Sequence, residues 1–189
     1  MTRPLTATDF VKGFLRLIRV QNLLIVVGTQ YLARIALIGP RENWPQLLLD
    51  GRMVILTLST VCIAAAGYII NDYFDVKIDI VNKPERVIIG RYLKRRWAIT
   101  AHQALNVIGC LLGLLLSRWV FAVDVLSVSL LWFYSANLKR QPFIGNLVVS
   151  FLTALSLIVM AVYYKQNENL LLMYAAFAFV VTLVREIIK

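Results

Sequence analysis

Charge is scarce in this sequence and unevenly spread. Of 189 residues, 16% are Asp, Glu, Lys or Arg, against about 25% in an ordinary soluble domain. Residues 53–70, 97–117 and 141–164 carry none at all. A hydrocarbon core of about 30 Å takes about 20 apolar helical residues, so runs of this length are hard to place in a soluble core. Histidine is nearly missing: His102 stands alone, which excludes a histidine-rich metal centre. The two cysteines, Cys62 and Cys110, both lie inside apolar runs and read as packing residues rather than disulfide partners or metal ligands. No Ser- or Gly-rich linker, low-complexity tract or tandem repeat divides the chain. Residues 1–189 are therefore expected to form a single membrane domain, or part of one. The first 19 residues are mixed and basic, without the short apolar core and small-residue cleavage site of a signal peptide.

What is present is hydrophobic surface, 60% of all residues. The pattern predicts an all-α, polytopic transmembrane bundle with spans at about 16–38, 53–72, 97–117, 119–138, 142–164 and 169–188. Arg34 falls near the far end of the first span, where its long side chain can reach the headgroups. Asp124 interrupts the fourth span and is expected near a helix end. Basic residues set the orientation. With the N-terminus in the cytoplasm, fifteen of the 20 Lys and Arg residues fall on the inside of this six-span plan, which supports the span count as well as the orientation; the cell's inner membrane is the expected location. The net charge of +10 is then mainly a topology signal, and nucleic acid is not an expected partner.

One segment differs from the rest. Residues 67–91 read GYIINDYFDVKIDIVNKPERVIIGR, a loop after the second span that holds four of the ten acidic residues: Asp72, Asp75, Asp79 and Glu85. The spacing of three and then four places Asp72, Asp75 and Asp79 on one helical face, one turn apart. Three carboxylates in that register repel one another, and at a helix C-terminus they also oppose the dipole. A bound divalent cation would cancel the repulsion. Oxygen-only ligands favour Mg²⁺, which typically combines a few carboxylates with water and substrate phosphate oxygens. Lys83 and Arg86 follow directly, and Lys139 and Arg140 arrive on the next inner loop. Each suits a diphosphate and equally suits a topology marker.

The run Asn71-Asp72-Tyr73-Phe74-Asp75-Val76-Lys77-Ile78-Asp79, continued by Asn82-Lys83-Pro84-Glu85-Arg86, resembles the first aspartate-rich motif of the UbiA-type intramembrane prenyltransferases. Arg19-Val-Gln-Asn22 resembles the family's Arg/Asn pair in the first helix, with Asn22 on the cavity. Tyr134-Ser135, then Leu138-Lys139-Arg140 and Gly145-Asn146, resemble the segment after helix four. Among the family's branches, the wording from Asn71 to Arg91 is most similar to the geranylgeranylglycerol-phosphate geranylgeranyltransferases. The resemblance implies a helical bundle of about nine spans with a central cavity open toward lipid, and two facing aspartate-rich motifs that hold Mg²⁺ and a diphosphate. Asn71, Asp72, Asp75 and Asp79 would be the metal-side residues, with Asp72, Asp75 and Asp79 catalytic. Asn22, Lys83, Arg86, Lys139 and Arg140 would face the diphosphate. The sequence supplies six spans and no second motif, and the ending Arg185-Glu186-Ile187-Ile188-Lys189 is similar to the family's lead-in to it. The expectation is that these residues are the first two-thirds of a longer enzyme and are inactive alone.

The chemistry implied is transfer of a prenyl group from an isoprenoid diphosphate to a lipid or aromatic acceptor, geranylgeranylglycerol phosphate among them. Departure of the diphosphate leaves a carbocation-like carbon that apolar walls shield from water. Tyr68, Tyr73 and Tyr134, with Ser135 beside the last, are candidates for that pocket, although such tyrosines more often serve in packing. Two other readings stay open: a cation or proton transporter, and a catalytically inert membrane fragment or assembly subunit.

Overall fold

The computed structural model describes residues 7–39, 44–82, 87–90 and 92–188. It is 88% helical. Among the described residues, six helices are long and apolar enough to cross a membrane. The first element, α1 (Ala7–Leu17), is a short amphipathic helix. The first span is α2 (Val20–Ala33), which continues as a π-helical turn to Ile38. A five-residue helix, α3 (Trp44–Leu48), precedes α4 (Gly51–Asn82). Four further spans follow: α5 (Arg95–Leu116), α6 (Arg118–Ala136), α7 (Ile144–Tyr164) and α8 (Glu168–Ile188).

Two boundaries differ from the sequence expectation, and both matter for the site. The expected first span at 16–38 is broken after Leu17. Arg19 adopts a left-handed conformation, φ 51° and ψ 56°, that turns the chain from α1 into α2. Neither Gly nor Pro announces the break. A left-handed residue with a side chain costs about 1–2 kcal/mol, so contacts elsewhere must hold it. The second difference is that the expected loop after residue 72 is helix. At 32 residues, α4 is about 48 Å long at 1.5 Å per residue, far more than a bilayer core of about 30 Å needs. No Gly or Pro falls between Gly67 and Pro84, so the backbone has no reason to stop at the first aspartate. The acidic motif thus rides on a rigid extension of the span.

The longest helix is also the most enclosed: 61% of its apolar stretch is buried, against 39% for α7 and 17–22% for the other spans. α5 meets α4 closely at Gly109 and α6 at Gly113, one turn further on. A Cβ on Gly109 would lie 2.7 Å from Ile63 Cγ1 and 3.1 Å from the Ser59 carbonyl oxygen, and one on Gly113 would collide with Asp124 Oδ2. Small residues four apart let membrane helices approach where lipid gives no hydrophobic push. The apolar interior divides in two. At one end of the bundle Met53, Leu56, Val120, Met160 and Leu171 are packed solid. At the other, Leu17, Ile69, Ile88, Ile89, Leu93 and Ala98 anchor α1 and the segment after α4 against α4 and α5. Gly90, with φ 95°, makes the tight turn that brings Ile89 beside Leu93. Leu24, Ile25, Leu32, Leu115 and Phe177 stay exposed on the outer surface, as expected of side chains whose solvent is lipid.

Three local expectations are also revised. Asp124 is not at a helix end: it lies six residues into α6 and is 3% exposed. Arg34 turns inward rather than toward headgroups. Its Nη2 lies 3.7 Å from Asp50 Oδ2 and its guanidinium stacks over Tyr164, 4.3 Å from the ring centre. His102 is buried between α4 and α5, with Nδ1 2.9 Å from the Ala66 carbonyl oxygen and Nε2 3.1 Å from Asn106 Nδ2. Both cysteines are free, as expected of packing residues.

Candidate active site

A cavity of about 590 Å³ runs down the middle of the bundle between α2, α4, α6, α7 and α8. Its wall follows helical periodicity. Thr60, Ile63, Ala64, Gly67, Tyr68 and Asn71 come from α4, spaced three or four apart. Its mouth is charged and polar, and below it aliphatic side chains are interspersed with Thr60, Asp124, Ser127, Thr153 and Ser156. Arg19, Asn22, Tyr68, Asn71, Tyr134, Arg185 and Glu186 line the mouth, whereas Val26, Ile63, Leu152, Leu155 and Val159 line the depth.

Asp72, Asp75 and Asp79 do not line the cavity themselves; they follow Asn71 along α4 beside its mouth, and the first two are each met by a cation from another element. Arg19 Nη2 donates to Asp72 Oδ1 at 3.1 Å, and its guanidinium covers the Tyr68 ring at 4.9 Å. These contacts hold the left-handed Arg19. Lys139, on the 3₁₀ turn Leu138–Arg140 after α6, donates to Asp75 Oδ1. Arg95, at the start of α5, stacks on Tyr73 at 4.5 Å. Asp79 lies one turn beyond Asp75, partly exposed. It has no ion pair among the described residues. Arg185 and Glu186 pair on the opposite wall at 2.9 Å, and the Glu186 carbonyl oxygen accepts from Asn146 Nδ2 at 3.3 Å.

The sequence of residues 27–189 matches the UbiA prenyltransferase family. The chain belongs to the UbiA prenyltransferase family. Relatives include proteins named digeranylgeranylglyceryl phosphate synthase. That of Ignicoccus hospitalis is 39% identical over 80% of this chain and 47% of its own length. That of Saccharolobus solfataricus is 34% identical over 95% of this chain and 62% of its own. A solved structure described as a digeranylgeranylglyceryl phosphate synthase in membranes superposes with a TM-score of 0.73 at 25% identity. It covers 93% of this chain and 59% of the other. The chain therefore spans about half to three-fifths of the length of these relatives.

Within the UbiA frame, the fold brings together Asn22, Tyr68, Asn71 and Tyr134 on the cavity wall, whereas Asp72, Asp75 and Lys139 are not on that wall and Asp72 touches it through its pair with Arg19. It does not bring in Ser135, which is 1% exposed and buried away from the cavity. Arg140 is exposed and makes no ion pair among the described residues. Lys83 and Arg86 lie outside the described residues.

A divalent ion fits the donor set in one sense only. Among the described residues, no three His, Cys, Asp or Glu side chains gather closely enough to cage a metal. The acids form a row of hard oxygen donors along one helix face instead. Such a row suits Mg²⁺ held by one or two carboxylates with phosphate and water completing the shell.

Arg19, Arg185 and Glu186 were missed as site residues. Charges on otherwise apolar helices were the available signal, and topology absorbed it.

Proposed function

We propose that this bundle binds an isoprenoid diphosphate with its charged head at the mouth and its chain in the cavity. In the whole protein it would transfer the prenyl group to a lipid bearing a glycerol phosphate, geranylgeranylglyceryl phosphate being the leading candidate. The carrying observation is one continuous cavity with Arg19, Arg185 and Glu186 at its mouth, beside the acidic stretch of α4, and a mainly aliphatic wall below. A diphosphate with a hydrocarbon tail has that polarity.

Asp72, Asp75 and Asp79, with Asn71, are the residues that would hold Mg²⁺, which when bound neutralises charge on a diphosphate leaving group. Arg19 and Lys139 already sit on the first two carboxylates, so they are positioned to turn to phosphate oxygens and stabilise the departing charge. Tyr68 and Tyr134 line the cavity and are the aromatic groups that could meet a developing positive carbon there. Ile63, Leu131 and Leu152 keep water from it. A second hollow, about 520 Å³, opens between α1 and α2 and shares Arg19 and Asn22 with the cavity mouth. Its Arg16 and Arg19 suit the phosphate of an acceptor arriving from the membrane surface. The N-terminus, the acidic extension and the cavity mouth would all face the cytoplasm, on the basic side of the inner membrane.

The transporter reading finds less support. Asp124, the buried acid at depth, is held by Ser59 at 2.8 Å and packed against Gly113, which suits a fixed strut better than a relay.

Equilibrium binding of radiolabelled geranylgeranyl diphosphate to the chain in lipid nanodiscs tests the proposal. Retention that requires Mg²⁺ and is lost with EDTA is expected. Metal-independent or absent retention would reject it. Transfer to geranylgeranylglyceryl phosphate is the corresponding assay for the whole protein.

A further inference from the structure

The acidic stretch of α4 runs on past the cavity wall, and the direction its carboxylates face depends on how the helix is turned. At a side-chain radius of about 5–6 Å, a roll of about 20° moves a carboxylate by about 2 Å. That is the length of a bond from oxygen to Mg²⁺. The pairs with Arg19 and Lys139 hold the front of the helix only while those cations are not on a ligand. A lasting restraint has to come from its back.

Tyr73 and Phe74 stand between Asp72 and Asp75 in sequence and point away from the acidic face, since successive helical residues lie about 100° apart. Tyr73 packs, with Val76, against the cluster of Leu17, Ile69, Ile88 and Ala98. The Arg95 guanidinium of α5 lies 4.5 Å from its ring centre. Tyr73 meets Phe74 edge to face at 5.8 Å, and Phe74 meets Trp132 of α6 in the same way at 5.7 Å. Trp132 lies 5.8 Å from the ring of His102. His102 is on α5, two turns after Arg95, so the contacts close a circuit from α5 to α4 to α6 and back to α5. None of these five side chains lines the cavity.

Edge-to-face rings have a preferred geometry, so this circuit resists a roll where aliphatic contacts would slide. Its far end is fixed: His102 is 2% exposed and engaged at both ring nitrogens, by the Ala66 carbonyl oxygen and by Asn106. The circuit also sets α6. Tyr134, two residues after Trp132, lines the cavity, and Lys139, on the turn after α6, reaches Asp75. The contact of Phe74 with Trp132 therefore ties the acidic helix to the element that brings Lys139 to it.

We propose that the Tyr73–Phe74–Trp132–His102 bracket is the positioning unit of the acidic row, setting the rotation of α4 at which Asp72 and Asp75 meet a metal-bound diphosphate. The inference rests on the reading of those acids as the diphosphate site. Phe74 and Trp132 are positioning residues and touch no substrate.

Two readouts on the chain in nanodiscs test it. One is the distance distribution between spin labels at Lys77→Cys and Gln141→Cys, exposed positions on α4 and after α6, in a Cys62→Ala and Cys110→Ala background. The other, on the unlabelled chain, is the Mg²⁺ concentration that gives half-maximal retention of geranylgeranyl diphosphate. Trp132→Ala should broaden the distribution and raise that concentration at least about tenfold. Trp132→Phe, which keeps an aromatic ring for Phe74, restores both. Phe133→Ala, the next residue and 57% exposed outside the bracket, changes neither. Thermal melting identifies the folded variants, and Trp132→Leu carries the test if Trp132→Ala does not fold. An unchanged distribution, or a broadened one with an unchanged Mg²⁺ requirement, overturns the proposal and leaves the site reading standing. An equal loss in Phe133→Ala overturns it as well. If the unsubstituted chain retains no diphosphate at any Mg²⁺ concentration, the site reading falls and this proposal with it.

Discussion

The two ends of the bundle both carry ion pairs, and they use them differently. At the packed end, Arg34 is 12% exposed and is fixed by Asp50 and the Tyr164 ring. The Asn167 amide closes on the Leu37 carbonyl oxygen nearby at 2.6 Å. At the cavity mouth, Arg19 is 45% exposed and holds Asp72 from a strained backbone. Exposed pairs contribute about 0–1 kcal/mol, less than or similar to the cost of the left-handed Arg19. The Arg19–Asp72 pair therefore makes poor sense as a stabiliser, whereas Lys139–Asp75, 12% and 21% exposed, is as enclosed as Arg34–Asp50. Enclosed charge at one end holds the fold. The exposed Arg19 at the other end is kept at a cost, as expected where a ligand is to be bound.

Three substitutions would break or sharpen this contrast. Gly113→Ala strikes the buried half, placing a methyl where Asp124 Oδ2 lies. It should lower stability by about 3 kcal/mol and reduce folded yield, read by thermal melting in detergent. Gly28→Ala, with nothing within 4 Å of the added carbon, is its neutral control. Arg34→Ala removes the stacked, enclosed cation and should cost about 2 kcal/mol, with diphosphate affinity unchanged in the protein that remains folded. Arg19→Gly should have the smallest effect on stability. Glycine relieves a strain of about 1–2 kcal/mol while an exposed pair of about 0–1 kcal/mol is lost, so the melting temperature holds or rises slightly. Its diphosphate affinity should nevertheless fall about tenfold. A fall in melting temperature without loss of affinity would reverse the roles assigned to the two ends.

The spans were legible because charge-free runs have a single physical reading at these lengths. Four of the six were placed within two residues of the observed helices at both ends, or nearly so: 97–117 against Arg95–Leu116, and 169–188 against Glu168–Ile188. The extension of α4 to Asn82 was hidden because polar residues after an apolar run look like a loop, although nothing before Pro84 breaks a helix. The kink at Arg19 could not be read locally, since what holds it is Asp72, 53 residues away. The acidic row was legible from its three-and-four spacing. Its partners Arg19 and Lys139 were legible as basic residues but not as pairs, since pairing depends on how α2, α4 and α6 meet. The aromatic bracket was invisible for the same reason: Phe74, His102 and Trp132 are scattered along the sequence, and only packing brings their rings together.

The central claim is that the mouth, through the acidic row of α4, holds a metal-bound diphosphate. The most direct measurement is the Mg²⁺ dependence of geranylgeranyl diphosphate binding to Asp75→Asn beside the unsubstituted chain. Asparagine keeps the size and a hydrogen-bond acceptor for Lys139 but loses the charge. The account predicts an unchanged melting temperature and affinity at saturating Mg²⁺ lower by about tenfold or more, as for losses at metal-supporting positions. Equal affinity and equal Mg²⁺ dependence in the two proteins would contradict it.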